Sequence, residues 1–346
     1  MHRTISALLF LALLCACAPQ SNRPQLPPGL VEAEARKQQE LAMRDYMAKL
    51  ERMDRVAWTI RTRNADLCGK NTVYRPGLKV AEIDNYPKEM REAAKTVLGV
   101  RSRPTVYFLT KNGPAEAAGV QRGDVLVAVA GQEVESRSQA LKALDKALAD
   151  GAAIRLTVKR AGLSQDISVQ PAKVCAYDVS LKIDSTVNAF ADGKAVTVHT
   201  ALMNFVQSDD ELAEVLGHEM AHNAQGHMRA QMGNALLGTL LIDVPIAILT
   251  GVNPSLGGQA GQQLYSQEFE AEADYVGLYY TARAGYDIEH VADFWRRMAM
   301  ESPRGISMGS THPSTSARFV ALEAARDEIK AKAAEGKELR PEMKGR

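Results

Sequence analysis

Ser208-Asp209-Asp210-Glu211-Leu212-Ala213-Glu214-Val215-Leu216-Gly217-His218-Glu219-Met220-Ala221-His222 is the stretch whose reading decides the fold. Ser208 and Glu211 have capping-box spacing, and Leu212, Val215 and Leu216 share one apolar face, so the spacing predicts a helix starting near Ser208. At about 100° per residue, positions four apart point almost the same way. The imidazoles of His218 and His222 can therefore reach one metal ion from the same side, with Glu219 beside them to hold a water. Two histidines do not complete a site, and a third ligand has to come from elsewhere. A continuation of the motif with Gly at 225 and His at 228 is excluded, because those positions are Gln225 and Met228. His227 would lie about 140° round from His222 on a continuing helix, which reads as a surface or outer-layer histidine.

Further on, Tyr265-Ser266-Gln267-Glu268-Phe269-Glu270-Ala271-Glu272-Ala273-Asp274 predicts another helix, with Glu270 and Asp274 on one face and Glu272 facing elsewhere. Asn188-Ala189-Phe190-Ala191, Glu211-Leu212 through His227, and Glu270-Ala271-Glu272-Ala273-Asp274 together resemble the M48 family of zinc metallopeptidases, over roughly half the chain. The resemblance implies one zinc ion per chain, with His218, His222 and Glu270 as ligands and Asp274 orienting a ligand imidazole. It also implies Glu219 as general base in a peptide-bond hydrolysis without a covalent intermediate. Ala195 to His199 resembles the family's edge strand, which aligns an extended substrate by backbone pairing. Thr311-His312-Pro313-Ser314-Thr315-Ser316-Ala317-Arg318 resembles its C-terminal His-Pro segment. There His312 is expected as a catalytic residue, either a displaceable fourth ligand or a transition-state donor, with a loop-capping role as the alternative.

Upstream, Thr105 to Leu109, Val125 to Val129 and Ile154 to Val158 read as strands, and Ser138 to Leu148 as a helix. Asn112-Gly113-Pro114-Ala115-Glu116-Ala117-Ala118-Gly119-Val120-Gln121-Arg122-Gly123-Asp124-Val125-Leu126, followed by Val129-Ala130-Gly131, resembles the PDZ domain of bacterial envelope proteases. Pro76-Gly77-Leu78-Lys79-Val80 stands where that family places its carboxylate-binding loop, although its sequence departs from the usual one. A PDZ-shaped spacer without a ligand is the alternative.

His2 and Arg3 precede the apolar run Ile5 to Leu14, which is too short to span a bilayer and reads as a secretory signal. Leu14-Cys15-Ala16-Cys17 resembles a bacterial lipobox, implying cleavage before Cys17 and a lipid on that residue. Pro19 to Leu30 would then be an extended tether. Of four cysteines, Cys68 and Cys175 remain after such processing. They flank the PDZ-like module, so export predicts a disulfide between them.

The expected fold class is α+β: a mainly helical zincin-type metallopeptidase domain with a small edge sheet, plus a PDZ-like α/β module. The expected layout is a signal at 1–16, tether at 17–30, helix at 31–70, PDZ-like domain at 71–172, M48-like domain at 173–330 and charged tail at 331–346. Ala235 to Val252 is apolar but holds Asp243 and Pro245. A single crossing there would part His222 from Glu270 across the bilayer, so it reads as a hairpin or lid hinged at Gly257 to Gly261, with core packing or membrane-surface contact as alternatives. A net charge of +1 with 24% charged residues points to no nucleic-acid partner.

The expected function is a zinc-dependent endopeptidase acting on unfolded or misassembled cell-envelope proteins. Its partners are extended polypeptides, peptide C-termini at the PDZ-like module, and a membrane through the lipid anchor. The expected place is the periplasm, on the outer membrane. The rival reading is a non-catalytic, PDZ-containing chaperone or adaptor with a structural or latched zinc site.

Overall fold

Pro28 opens the first helix, α1 (Pro28–Arg63), at a position where its missing N–H is not needed. In this computed structural model, residues 24, 26–250, 255, 256, 259, 266–301 and 316–343 are described. Cys17, His312, the signal and the glycines of the Gly257 to Gly261 hinge therefore lie outside the described residues. The first turns of α1 are exposed, whereas Met43, Met47, Leu50, Met53, Val56 and Ile60 form a buried stripe at three- and four-residue spacing. Leu41 is 56% exposed, since Met43 occupies the inward position.

After α1 the chain builds a six-stranded sheet in the order β2-β3-β4-β6-β7, with β5 paired to β4. Its strands are β2 (Leu78–Ala81), β3 (Thr105–Leu109), β4 (Val125–Val129), β5 (Gln132–Glu133), β6 (Ile154–Arg160) and β7 (Leu163–Val169). In β6, Ile154, Leu156 and Val158 are buried while Arg155 and Lys159 face solvent, the period-two pattern of a strand covered on one face. Helix α2 (Arg91–Leu98) packs on α1, the short α3 (Pro114–Ala117) joins β3 to β4, and α4 (Arg137–Ala147) covers the sheet with Ala140, Ala143 and Leu144. The result is a separate apolar core around Val106, Leu126, Leu144 and Leu156.

This module is joined to the rest of the chain through a neck. Strand β1 (Thr72–Arg75) pairs antiparallel with β8 (Ala172–Cys175), and beside them Cys68 and Cys175 form a disulfide with Cα atoms 5.6 Å apart. The expected pairing is thus present, and the bond closes a segment 107 residues long in sequence.

The second core is mainly helical. A three-stranded sheet in the order β10-β11-β9 lies at its side, formed by β9 (Asp178–Lys182), β10 (Ala189–Ala191) and β11 (Ala195–His199). β11 pairs with both neighbours, so it is the middle strand and not the edge expected from the sequence; β10 and β9 are the edges. After α5 (Thr200–Phe205) comes α6 (Asp209–Gln225), capped by Ser208 Oγ accepting from Glu211 N at 3.2 Å. Helices α7 (His227–Gly238) and α8 (Val244–Thr250) flank a π-helical turn, Thr239–Asp243. They form one apolar helical run, His227–Thr250, whose Leu236, Leu241, Ile248 and Leu249 are exposed. The segment expected as a hairpin or lid is helical as far as Thr250. By length and composition alone it could cross a membrane. The fold closes with α9 (Ser266–Arg283), α10 (Val291–Glu301) and α11 (Ser316–Ala334).

Helices α6 and α9 meet at two glycines. A Cβ on Gly217 would stand 2.5 Å from Gly277 O, and one on Gly277 would stand 2.7 Å from His218 Cα. Thr281 Oγ1 fastens the crossing by donating to Ala213 O at 3.1 Å.

Two outcomes are expected. Gly277→Ala should destabilise the protein by about 1–3 kcal/mol or more through overpacking, whereas Gly233→Ala, with nothing within 4 Å, should be neutral or mildly stabilising; paired thermal melts decide. Replacing Cys68 and Cys175 by Ser should lower the unfolding free energy by up to about 4 to 5 kcal/mol, read by denaturant titration against the oxidised parent.

Candidate metal centre

The glycine crossing sets α9 so close to α6 that Glu270 and Asp274, one turn apart on α9, reach the histidines of α6. His218 Nε2 and His222 Nε2 lie 3.0 Å apart. Glu270 Oε2 is 3.4 Å from the former and Glu270 Oε1 is 3.3 Å from the latter. All three residues are buried, and their ligand atoms lie within 4.8 Å of one another.

The donor set fits a metal ion. His218 Nδ1 is turned away from the cluster and lies 2.9 Å from Asp274 Oδ1. With that nitrogen carrying the proton, Nε2 presents its lone pair inward, beside another imidazole nitrogen and two carboxylate oxygens. Such a gathering of electron-rich atoms is favourable around a cation. Ligand bonds of about 2.0–2.1 Å in a tetrahedral arrangement would separate neighbouring donors by about 3.3 Å, which matches the contacts found.

The surroundings set the charge of these groups. Burial would raise the Asp274 carboxyl, but the Arg318 guanidinium and the His218 hydrogen bond outweigh it and hold Asp274 below the usual carboxylate range. Arg318 Nε and Nη2 donate to Asp274 Oδ2 and Oδ1 at 2.6 and 2.8 Å, its Nη1 lies 3.4 Å from Glu270 Oε2, and its guanidinium sits 4.4 Å from the Trp295 ring centre. Burial would lower His218, yet Asp274 and Glu270 carry it upward; for His222 burial prevails and lowers it. One turn before His218, the buried Glu214 is pushed well above the carboxylate range by burial, with Glu211, Asp210, Asp274 and Asp287 adding to the rise.

Glu219 is buried and shares a cavity of about 310 Å³ with Phe190, Ala191, His222, Met228, Gln231 and Glu270. The edge strand β10 thus forms one wall of the space next to the clustered donors. His222, Glu219, His218, Glu270 and Asp274, each singled out from the sequence, are brought together here.

Three participants were not singled out. Arg318 stood in the quoted His-Pro segment without a role. His227 was placed by assuming a continuing helix, but α6 ends at Gly226, whose φ of +73° breaks the turn and starts α7. His227 is consequently buried, with Nδ1 2.9 Å from His222 Nδ1 and Nε2 2.9 Å from Glu272 Oε2. Glu272 faces away from the donor cluster, as its helical phase predicts, but onto His227.

A second concavity of about 470 Å³ lies along the PDZ-like module. Gly77, Leu78 and Lys79 line one side and Leu141, Leu144 and Leu148 another, while Asp54, Trp58 and Arg61 of α1 and Asp178 to Ser180 of β9 close it. Thr110 Oγ1, beside Gly77, donates to Asp54 Oδ2 at 2.7 Å.

Comparison with known proteins matches peptidase family M48 over residues 152–326, half of the chain, and the PDZ domain over residues 107–160. The beta-barrel assembly-enhancing protease of Yersinia pestis is 33% identical over 151 residues, covering 38% of this chain and 31% of that protein. Metalloprotease LoiP of Escherichia coli (strain K12) is 33% identical over 173 residues, covering 47% of this chain and 66% of LoiP. The mitochondrial metalloendopeptidase OMA1 of Schizosaccharomyces pombe is 29% identical over 173 residues, covering 46% of this chain and half of OMA1. The chain thus spans about a third of the length of the beta-barrel assembly-enhancing protease that it matches. Since the M48 match runs through both histidines of α6, Glu270, Asp274 and Arg318, the chain belongs to peptidase family M48 and carries a PDZ domain.

Proposed function

We propose that this chain is a zinc-dependent endopeptidase that hydrolyses unfolded or misassembled proteins of the bacterial cell envelope. The observation that carries the reading is the convergence of two imidazole nitrogens and the Glu270 carboxylate beside Glu219, in a cavity bordered by a sheet edge. His218, His222 and Glu270 are the ligands of one zinc ion, and Asp274 orients His218 with its own charge balanced by Arg318. Zinc bound there supplies Lewis-acid polarisation of the scissile carbonyl and lowers the pKa of a water to about 7.

The remaining steps belong to the chain's own residues. Glu219 accepts the proton of the attacking water and returns it to the departing amine, the work of a general base that becomes a general acid. An extended substrate adds to the free edge of β10 by backbone pairing, so that Phe190 and Ala191 align it across the cavity. Backbone pairing reads extension rather than sequence, which selects polypeptide that is unfolded. The PDZ groove between β2 and α4 takes a peptide carboxyl terminus; the Arg61, Arg75 and Lys79 that line it are ion-paired with Asp178 and Asp54.

The envelope setting is supported by the signal-like run Ile5 to Leu14, the lipobox-like Leu14-Cys15-Ala16-Cys17, and the name of the beta-barrel assembly-enhancing relative. His312 lies six residues before Arg318, which touches Glu270. His312 of the His-Pro segment serves as a displaceable ligand or transition-state donor.

Digestion of an unfolded protein by the parent and by Glu219→Gln, at matched zinc content, is the deciding assay. The variant is expected to lose about 100-fold or more in rate; zinc-loaded parent that cleaves nothing would instead favour a chaperone-like adaptor. In the same assay His312→Ala should alter the cleavage rate, and unchanged kinetics would remove His312 from the mechanism.

A further inference from the structure

Each imidazole in the cluster turns Nε2 toward Glu270, so each needs something to hold Nδ1 on the opposite side. For His218 that partner is Asp274, a carboxylate one step away. His222 lies in the last turn of α6, and the group facing its Nδ1 is another imidazole, His227, at 2.9 Å. The far nitrogen of His227 contacts Glu272 Oε2 at 2.9 Å.

The direction of this chain of contacts follows from its ends. A Glu272 carboxylate only accepts, so His227 Nε2–H donates to it. In the neutral imidazole His227 Nδ1 is then left as an acceptor and takes the Nδ1–H of His222. That order requires the His222 tautomer whose Nε2 lone pair points at Glu270 and His218. The opposite tautomer would place a proton between the clustered donors and two lone pairs face to face at 2.9 Å.

The local structure holds the arrangement in place. Gly226, at φ +73°, reverses the chain so that His227 returns toward His222. The His227 ring is 1% exposed and stacks on Phe269, with ring centres 4.6 Å apart and planes inclined by 14°. Phe269 and Glu272 are three apart on α9, one placing the face of the ring and the other its edge. Helix α9 therefore sends Glu270 and Asp274 to one side and Phe269 and Glu272 to the other.

We propose that His227 and Glu272 are positioning residues that fix the tautomer and ring orientation of His222 for metal binding. This rests on the reading of His218, His222 and Glu270 as a zinc site. The two ligand histidines are thus held by different devices, a carboxylate balanced by Arg318 for His218 and an imidazole relayed to Glu272 for His222.

The test measures zinc affinity by chelator competition, and the visible spectrum after cobalt(II) substitution, in the full chain and three variants. His227→Phe keeps a ring against Phe269 but removes the acceptor; it should weaken zinc about 10- to 100-fold and change the cobalt spectrum. His227→Asn offers an amide oxygen near the lost Nδ1 and should recover most of the affinity. Glu272→Gln should fall between them. Zinc affinity and cobalt spectrum equal to the parent in a folded His227→Phe chain would overturn the proposal, and if that variant does not fold, parent-like affinity in Glu272→Gln does so. A parent that binds no zinc would overturn the metal-centre reading and this proposal with it, whereas a parent that binds one zinc alongside unaffected variants overturns only the positioning role.

Discussion

The close crossing of α6 and α9 at Gly217 and Gly277 is the constraint on which the centre depends. Backbone against backbone, with Gly277 nearly touching the His218 main chain, brings the helices nearer than side chains would permit. The stripe Glu270, Asp274, Gly277 and Thr281 of α9 then runs along the stripe Ala213, Gly217 and His218 of α6. Glu270 needs only its own short reach to meet both imidazoles. Were the helices held apart by a methyl group, the carboxylate and the histidines would still be present but no longer converge.

Such closeness concentrates polar groups in a buried place, and their mutual satisfaction explains the cast around the donors. Arg318 carries a full charge into the interior, where it is tolerable because Asp274 takes two hydrogen bonds, Glu270 lies near, and Trp295 covers the guanidinium face. Asp274 in turn stays ionised despite burial and can hold His218. Removing either partner would strand the other, so α11 is tied to α9 by electrostatics as much as by apolar packing.

The PDZ module is placed by a different kind of bond. Its own core is independent, and its neck is closed by the β1–β8 pair and the Cys68–Cys175 bridge. Yet its groove is not open to solvent all round. Helix α1, which also packs under the catalytic helices, presents Asp54, Trp58 and Arg61 to that groove, and β9 of the small sheet presents Asp178. One helix thus touches both the peptidase core and the groove of the PDZ module.

Much of the centre was legible in the sequence because helical periodicity is a local rule. Four-residue spacing put His218 and His222 together and Glu270 and Asp274 together, and cysteines flanking a module indicated the bridge. What the sequence determined by itself was the helices that carry the donors, the shared faces on them and the kinds of donor they present. Three facts depended on the tertiary structure. Gly226 ends α6, a break that decides for the outer-layer over the surface reading of His227 and makes it a partner of His222; a glycine there was visible, but its φ was not. Arg318 reached the site from a helix distant in sequence, which no local pattern can announce. The edge strand beside the cavity is β10 and not β11, because which strand is outermost is set by pairing across the sheet and not by the residues of either strand. Local periodicity fixes directions along one element, and only packing decides what lies in those directions.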